Sequence, residues 1–377
     1  MNKLFTDSPQ RLFVSNLLLV VFALYGIGLV QVYSSSYIFA VDTYNDGLFF
    51  FKRQLLFTFV SICCLFFVAY LPSHLIRQWG WTLWCAALGL LILTFVPGIG
   101  VHVGGAARWI QLPMGLRFEP SELLKVAFPL FFATLFIRSE TFLSRAHYSV
   151  LLFALIFPFV MLYKQPDFGS FAILIATGFM LLFCFGLRIR AIVTMALAGL
   201  PLFIYLMMAQ SYRRDRLMAF LDPWADAERK GFQVIQSMLS FHSGGLFGKG
   251  IGQSQGKLFF LPEAHTDFTL AIFGEEFGLL GFLVLLSLFG FIVYRTLQIV
   301  QSYDDRFVRA LLIGLMTVFV FSFFINCGVV MGLLPTKGLT LPFLSYGGSS
   351  LVCMGLMFGL ILNIELNSKQ SFDSVSR

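Results

Sequence analysis

The sequence predicts an all-α, polytopic membrane protein with about ten transmembrane helices, and three observations predict it. Of the 377 residues, 58% are hydrophobic, 47 of them Phe, and the mean hydropathy of +0.84 exceeds what a water-facing surface allows. The apolar residues come in repeated runs of roughly 20, each long enough to cross ~30 Å of hydrocarbon, and only helices satisfy their own backbone over such runs. Asp, Glu, Lys and Arg together make up only 12%, and the longest polar interval, 211–265, shows no soluble domain.

The runs fall at about 12–34, 54–71, 80–97, 121–137, 148–163, 168–187, 191–210, 267–294, 308–333 and 348–364. The first, Leu12 to Tyr33, exceeds the ~7–15-residue core of a signal peptide and has no clear cleavage site, so it reads as an uncleaved span. An even number of spans puts both termini on one side. Lys and Arg, among them Arg188, Arg190, Arg306 and Arg309, concentrate in the segments that are internal if the termini are cytoplasmic. Residues 1–377 then form a single transmembrane domain with one long extracytoplasmic loop, about 211–266, between the seventh and eighth helices. Its stretch LDPWADAERKGFQ is amphipathic and suits the membrane surface. The six cysteines (Cys63, Cys64, Cys85, Cys184, Cys327 and Cys353) all sit in apolar runs, which points to packing and away from a disulfide framework or a zinc site. The net charge of +7 reflects topology and anionic lipid rather than nucleic acid.

This topology gathers acids and glycine-rich strings on the outer face. In RWIQLPMGLRFEPSELLK (108–125), Pro120 and Ser121 open a helix, and Glu122 and Lys125 lie three apart and can pair. They read either as a helix-start ion pair or as functional groups, since a Lys one turn into a hydrophobic span is costly unless it faces a polar cavity. In YKQPDFGS (163–170), Asp167 after Pro166 is ordinary helix-start grammar. Arg213, Arg214 and Arg216 open the long loop with guanidinium groups suited to phosphate. HSGGLFGKG offers backbone N–H groups that could cradle an anion but matches no nucleotide fingerprint. In LPEAHTDF (261–268), Glu263, His265 and Asp267 crowd the mouth of the eighth span, with Glu275 and Glu276 two turns deeper. Asp267 reads either as a helix cap or as a general base. Acids inside a membrane helix make sense mainly where they face the bundle interior or a wet cavity.

Four blocks together resemble one family: RFEPSELLK (117–125), YKQPDFGS (163–170), KLFFLPEAHTDFTLAIFGEEFGLLG (257–281) and GLLPTKGLTLPFLSYGGSS (332–350). On these the chain is identified as a member of the SEDS family (shape, elongation, division and sporulation) over essentially its whole length, most like the division member. Two departures stand out. GAARWI lacks the second Arg that the family usually carries ahead of the tryptophan, leaving that loop less to offer a phosphate. FEPSE replaces the commoner FQPSE, a change expected to matter little.

The resemblance implies a peptidoglycan glycosyltransferase that polymerises lipid II during septal wall synthesis, in the bacterial cytoplasmic (inner) membrane at the division septum. Its implied partners are a class B penicillin-binding protein, which is the transpeptidase, and other division-complex membrane proteins. The family's essential acid falls on Asp267, its PSE-x-x-K block on Glu122 and Lys125, and its QPDFG acid on Asp167. The implied chemistry makes Asp267 the base. Lys125 and Arg108, helped by Arg213 or Lys337, hold pyrophosphate, and Glu122 orients Lys125. His265 is expected at the substrate, and Asp167 shapes the site or, with Asp267, binds a divalent cation such as Mg or Mn. The alternatives are a lipid II flippase, an elongation or sporulation polymerase, and a scaffold without chemistry.

Overall fold

A computed structural model describes every residue except 1–8, 104–105, 138–144, 185, 210, 230, 262–263, 337 and 376–377. Its long helices follow the apolar runs: α1 (Pro9–Tyr44), α2 (Phe49–Ala69), α3 (Ser73–Leu93), α4 (Pro120–Ile137), α5 (Arg145–Lys164), α6 (Phe168–Cys184) and α7 (Ile189–Met208). Two shorter helices follow, α8 (Ser211–Leu221) and α9 (Phe232–Ser243), and then α10 (Thr269–Gln301), α11 (Arg306–Val330) and α12 (Gly348–Val375). Among the described residues, α1, α2, α3, α10, α11 and α12 each contain a stretch long and apolar enough to cross a membrane. The chain is therefore a mostly helical, multi-pass membrane fold.

The centre of the bundle is α4. Its residues 120–135 are buried without interruption, because α3, α6, α11 and α12 pack around it. Phe128, Phe131 and Phe132 are fully enclosed, and Trp84 of α3 stacks on Phe131 with ring centroids 5.1 Å apart. A helix wrapped on all sides by other helices need not be amphipathic. The same enclosure means that any polar group on α4 must find its partner inside the protein.

Three sequence expectations need correction. The fold is not purely α: β1 (Gly100–Val103), β2 (Ala106–Gln111) and β3 (Arg117–Phe118) form a small antiparallel sheet in the order β1-β2-β3. Val101 and Val103 flank an exposed His102, and this alternation favours a strand.

The 211–266 segment is not an open loop either. Besides α8 and α9 it contains short helical turns at Pro223–Asp226 and Gly256–Phe260. Val234, Ile235, Ser237 and Ser240 of α9 are buried, and the Ser237 hydroxyl donates to the Val330 carbonyl at 2.8 Å. The apolar face of VIQSMLSF is thereby spent on the bundle rather than on lipid.

The third correction concerns the eighth predicted span, which is broken. Gly278 has φ 67° and ψ −167° inside α10, a conformation that only glycine adopts cheaply. A Cβ there would also lie 2.3 Å from the Gly248 nitrogen. The glycine-rich HSGGLFGKG string fills the break. Lys249 N–H donates to the Glu275 carbonyl and Gly250 N–H to that of Glu276, both at 3.0 Å, and Leu279 N–H donates to the Gly245 carbonyl at 2.9 Å. The backbone groups freed by the kink are thus repaired by a neighbouring loop, as buried backbone requires.

Candidate active site

The polar residues divide into a loop clamp and a second cluster with the character of a site. The clamp holds the glycine-rich loop to α10. Glu275 accepts from Lys249 Nζ (2.8 Å), Ser254 Oγ (2.5 Å), Ser243 Oγ (3.2 Å) and the backbone N–H groups of Gln255 and Gly256 (both 3.1 Å). Glu276 accepts from Ser34 Oγ (2.5 Å), Lys257 Nζ (3.1 Å) and Gly252 N–H (3.1 Å). The backbone N–H groups that reach these carboxylates belong to Gly252, Gln255 and Gly256, just beyond HSGGLFGKG, whereas those of Lys249 and Gly250 go to backbone carbonyls of α10.

That second cluster is assembled from five parts of the chain. Lys125 and Glu122, one turn into α4, form a buried ion pair with Nζ 2.7 Å from Oε1, their side chains 5% and 6% exposed. Arg108, on β2, donates from Nε to the Gln165 carbonyl at 3.1 Å and from Nη2 to the Pro166 carbonyl. The turn between α5 and α6 therefore aims the guanidinium. Asp167 follows in that turn, buried, accepting from Ser170 N–H at 3.2 Å. Its other carboxylate oxygen, Oδ2, is buried without a hydrogen-bond partner among the described residues.

Asp267 comes from the segment before α10. It does not occupy the N-cap, a position taken by Phe268, whose side chain cannot cap. Arg108 and Asp267 converge on Gly338. A Cβ on that glycine would lie 3.2 Å from Arg108 Nη1 and 3.5 Å from Asp267 Oδ2. The missing side chain leaves a carboxylate and a guanidinium beside the same bare stretch of backbone.

Burial and charge set the protonation of the two acids outside the helices. Glu119, just before α4, is pushed up to about 8 by burial and by the neighbouring Glu122 and Asp167 carboxylates, against the pull of Lys125 and Arg108. At neutral pH it is therefore largely protonated, and a neutral carboxyl matches in shape and polarity the Gln of the commoner FQPSE block. For Asp167, burial acts upward, but the Arg108 guanidinium, the Lys125 ammonium and the Ser170 hydrogen bonds hold its carboxyl below the usual range.

Other expected site residues are placed differently. His265 is buried among Phe39, Phe50 and Tyr346, with ring centroids 5.3, 4.6 and 5.9 Å away, and its carbonyl accepts from Tyr346 N–H at 2.9 Å. Arg213 lies in α8, but its side chain is outside the described residues, as are Lys337 and Glu263. Of that arginine group, Arg216 Nη1 reaches the Thr336 carbonyl at 3.1 Å, tying α8 to the segment that precedes Gly338. Two contributors were not foreseen. Glu119 was signalled only by its departure from the usual block. Asn326, which bonds the Asp267 carbonyl at 3.0 Å, sits in an apolar run with nothing local to mark it.

A family model described as cell cycle protein, covering FtsW, RodA and SpoVE, matches residues 15–370. The chain is 40% identical over 341 residues to a probable peptidoglycan glycosyltransferase FtsW of Geobacter sp. (strain M18), covering 90% of this chain and 92% of the relative. It is 36% identical over 364 residues to stage V sporulation protein E of Bacillus subtilis (strain 168), covering 96% and 98%. Among solved structures it is similar to a peptidoglycan synthase complex described as coordinating polymerization and crosslinking, with TM-score 0.76 and 27% identity over 94% of this chain and 98% of the other. The rod shape determining protein RodA of Thermus thermophilus matches at TM-score 0.69 and 25% identity, over 93% and 96%.

Proposed function

This chain belongs to the cell cycle protein family of FtsW, RodA and SpoVE, and on that premise we propose that it is a peptidoglycan glycosyltransferase that polymerises lipid II during septal wall synthesis. The observation that carries the reading is the convergence of Asp267 and Arg108 on Gly338. A carboxylate able to accept a proton and a guanidinium able to hold an anion, both beside one glycine, support this reading. The proposed topology has ten spans, both termini in the cytoplasm and the 211–266 segment outside, in the bacterial inner membrane. A class B penicillin-binding protein is the proposed crosslinking partner, in line with the synthase complex whose fold this chain shares.

In the proposed step Asp267 takes the proton of the acceptor sugar's 4-hydroxyl as that oxygen attacks the donor's anomeric carbon. The bond to pyrophosphate breaks, its electron pair leaves with the lipid pyrophosphate, and the anomeric centre inverts to a β-1,4 link. One carboxylate suffices, because pyrophosphate needs no strong general acid. What the leaving group needs is fixed positive charge, supplied by Arg108 and Lys125. Glu122 keeps Lys125 ionised and aimed. A divalent cation fits this donor set in a limited way. Among the described residues no three His, Cys, Asp or Glu side chains are grouped to hold a metal, yet Asp167 Oδ2 is an unpartnered buried ligand atom. Magnesium commonly takes only one or two carboxylates beside phosphate oxygens and water. Asp167 would hold such an ion, which would add positive charge at the pyrophosphate.

The test is strand synthesis from lipid II by the purified full chain in detergent, with and without the class B partner. No sidedness exists there, so a flippase would produce nothing. Asp267→Asn should lower the rate by about 10²–10⁴-fold while leaving thermal unfolding unchanged. Wild-type strands from that variant would remove Asp267 from the chemistry, and none from the wild-type pair would turn the reading toward transport.

A further inference from the structure

We infer that Asn326 is a positioning residue that sets the separation between Asp267 and the Gly338–Leu339 backbone, and through it the separation between base and Arg108. The inference rests on the glycosyltransferase reading above. Asn326 lies one turn before the end of α11 and is 2% exposed. Its side-chain nitrogen donates two hydrogen bonds, to the Asp267 carbonyl at 3.0 Å and the Leu339 carbonyl at 2.8 Å. Both partners are acceptors only, so the amide nitrogen and not its oxygen must face them. Leu339 follows Gly338, the residue on which Arg108 and Asp267 converge. One amide group therefore fastens together the segment that carries the base and the segment that forms the floor beneath both charged groups.

Two further observations separate this from ordinary core packing. The two hydroxyl side chains of α11 bond to their own helix: Thr317 Oγ1 donates to the Ile313 carbonyl at 2.7 Å and Ser322 Oγ to that of Val318 at 2.8 Å. Asn326 instead spans two segments distant in sequence. Its Oδ1 is also buried without a partner among the described residues. An unsatisfied buried acceptor costs stability, and an apolar side chain of similar shape would remove that cost. What Asn326 provides in return is the two-point donor, which no apolar residue and no ionised acid can copy.

The experiment is a double-mutant cycle on strand synthesis from lipid II in detergent, using the full chain with its class B partner. Asn326→Leu keeps the shape and removes both donors, and Asn326→Ser keeps one donor, so at least one folded variant is at hand. Thermal unfolding and a monodisperse elution profile identify which variants fold. A misplacement on the ångström scale commonly costs ~10²-fold in rate, so the folded Asn326 variants should lose turnover on that order, Asn326→Ser the less, with the KM for lipid II within about twofold. In the Asp267→Asn background the same change should cost nothing more, because the base it positions is already gone. Turnover near wild type in a folded Asn326→Leu or Asn326→Ser variant overturns the inference, as does an undiminished loss in the Asp267→Asn background. Either result leaves the glycosyltransferase reading intact, whereas wild-type rates from Asp267→Asn alone would sink that reading first.

Discussion

Two groups of acids sit inside this bundle, and they are held in opposite ways. Glu275 and Glu276 accept from the chain's own donors, Glu275 from five and Glu276 from three, among them Lys249, Lys257 and the backbone of the glycine-rich loop. Glu119, Glu122, Asp167 and Asp267 gather around two described cations, Arg108 and Lys125. In the first group the carboxylates are met mostly by donors of the chain itself, which hold the glycine-rich loop and α1 against α10, although Glu276 Oε2 stays buried without a partner among the described residues. In the second the acids outnumber the described cations, Asp167 Oδ2 also lacks a partner among the described residues, and Glu119 stays protonated near neutrality. Carboxylates that tie several segments together hold a fold, while charges of both signs gathered beside a bare glycine suit a ligand.

The sharpest way to break this contrast, after Asp267 itself, is at the buried ion pair. Lys125→Met leaves the Glu122 carboxylate alone and should cost about 3–5 kcal/mol of stability, with strand synthesis lost. Adding Glu122→Gln should restore most of the melting temperature and none of the activity, because the charge meant for pyrophosphate is still missing. A double variant that polymerises normally would make the pair as structural as Glu275.

Next in size is the clamp. Glu275→Gln weakens several charge-assisted hydrogen bonds and should lower stability by about 2–3 kcal/mol, read as a lower melting temperature. The protein that remains folded should keep its turnover, and a selective loss of rate would join the two groups into one site.

The smallest effect is a pH dependence. Because the Glu119 carboxyl is raised by burial and its acidic neighbours to about 8, its proton favours the folded state at low pH. That contribution fades as pH rises from the ordinary carboxylate range through about 8. Glu119→Gln should therefore flatten the fall in melting temperature between the ordinary carboxylate range and about pH 8. An unchanged slope would place Glu119 outside the acid cluster.

Much of this was legible along the chain. The apolar runs fix the helices because each is long enough to span hydrocarbon by itself, and the pair Glu122 and Lys125 is legible because helix geometry puts positions three apart on one face. The amphipathic LDPWADAERKGFQ stretch was visible as well, but the packed helix that follows it, α9, was not. Whether it lies on lipid or on the bundle depends on contacts with α10 and α11 that no local pattern encodes. The same limit hid the kink, since GEEFG reads as continuous helix until a loop more than twenty residues upstream is seen to occupy the break.

The amino-acid order by itself determined the membrane class, the positions of the long helices and the residue types able to move a proton or hold a phosphate. All of these follow from hydrophobicity and from spacing within one helix. The tertiary structure alone decided which acids are tied to the glycine-rich loop and which gather around Arg108 and Lys125. It also decided that Arg108, Asp267 and Asn326 meet at Gly338 and Leu339. A buried charge or amide takes its meaning from the groups that satisfy it, and here those groups come from segments far apart in the chain.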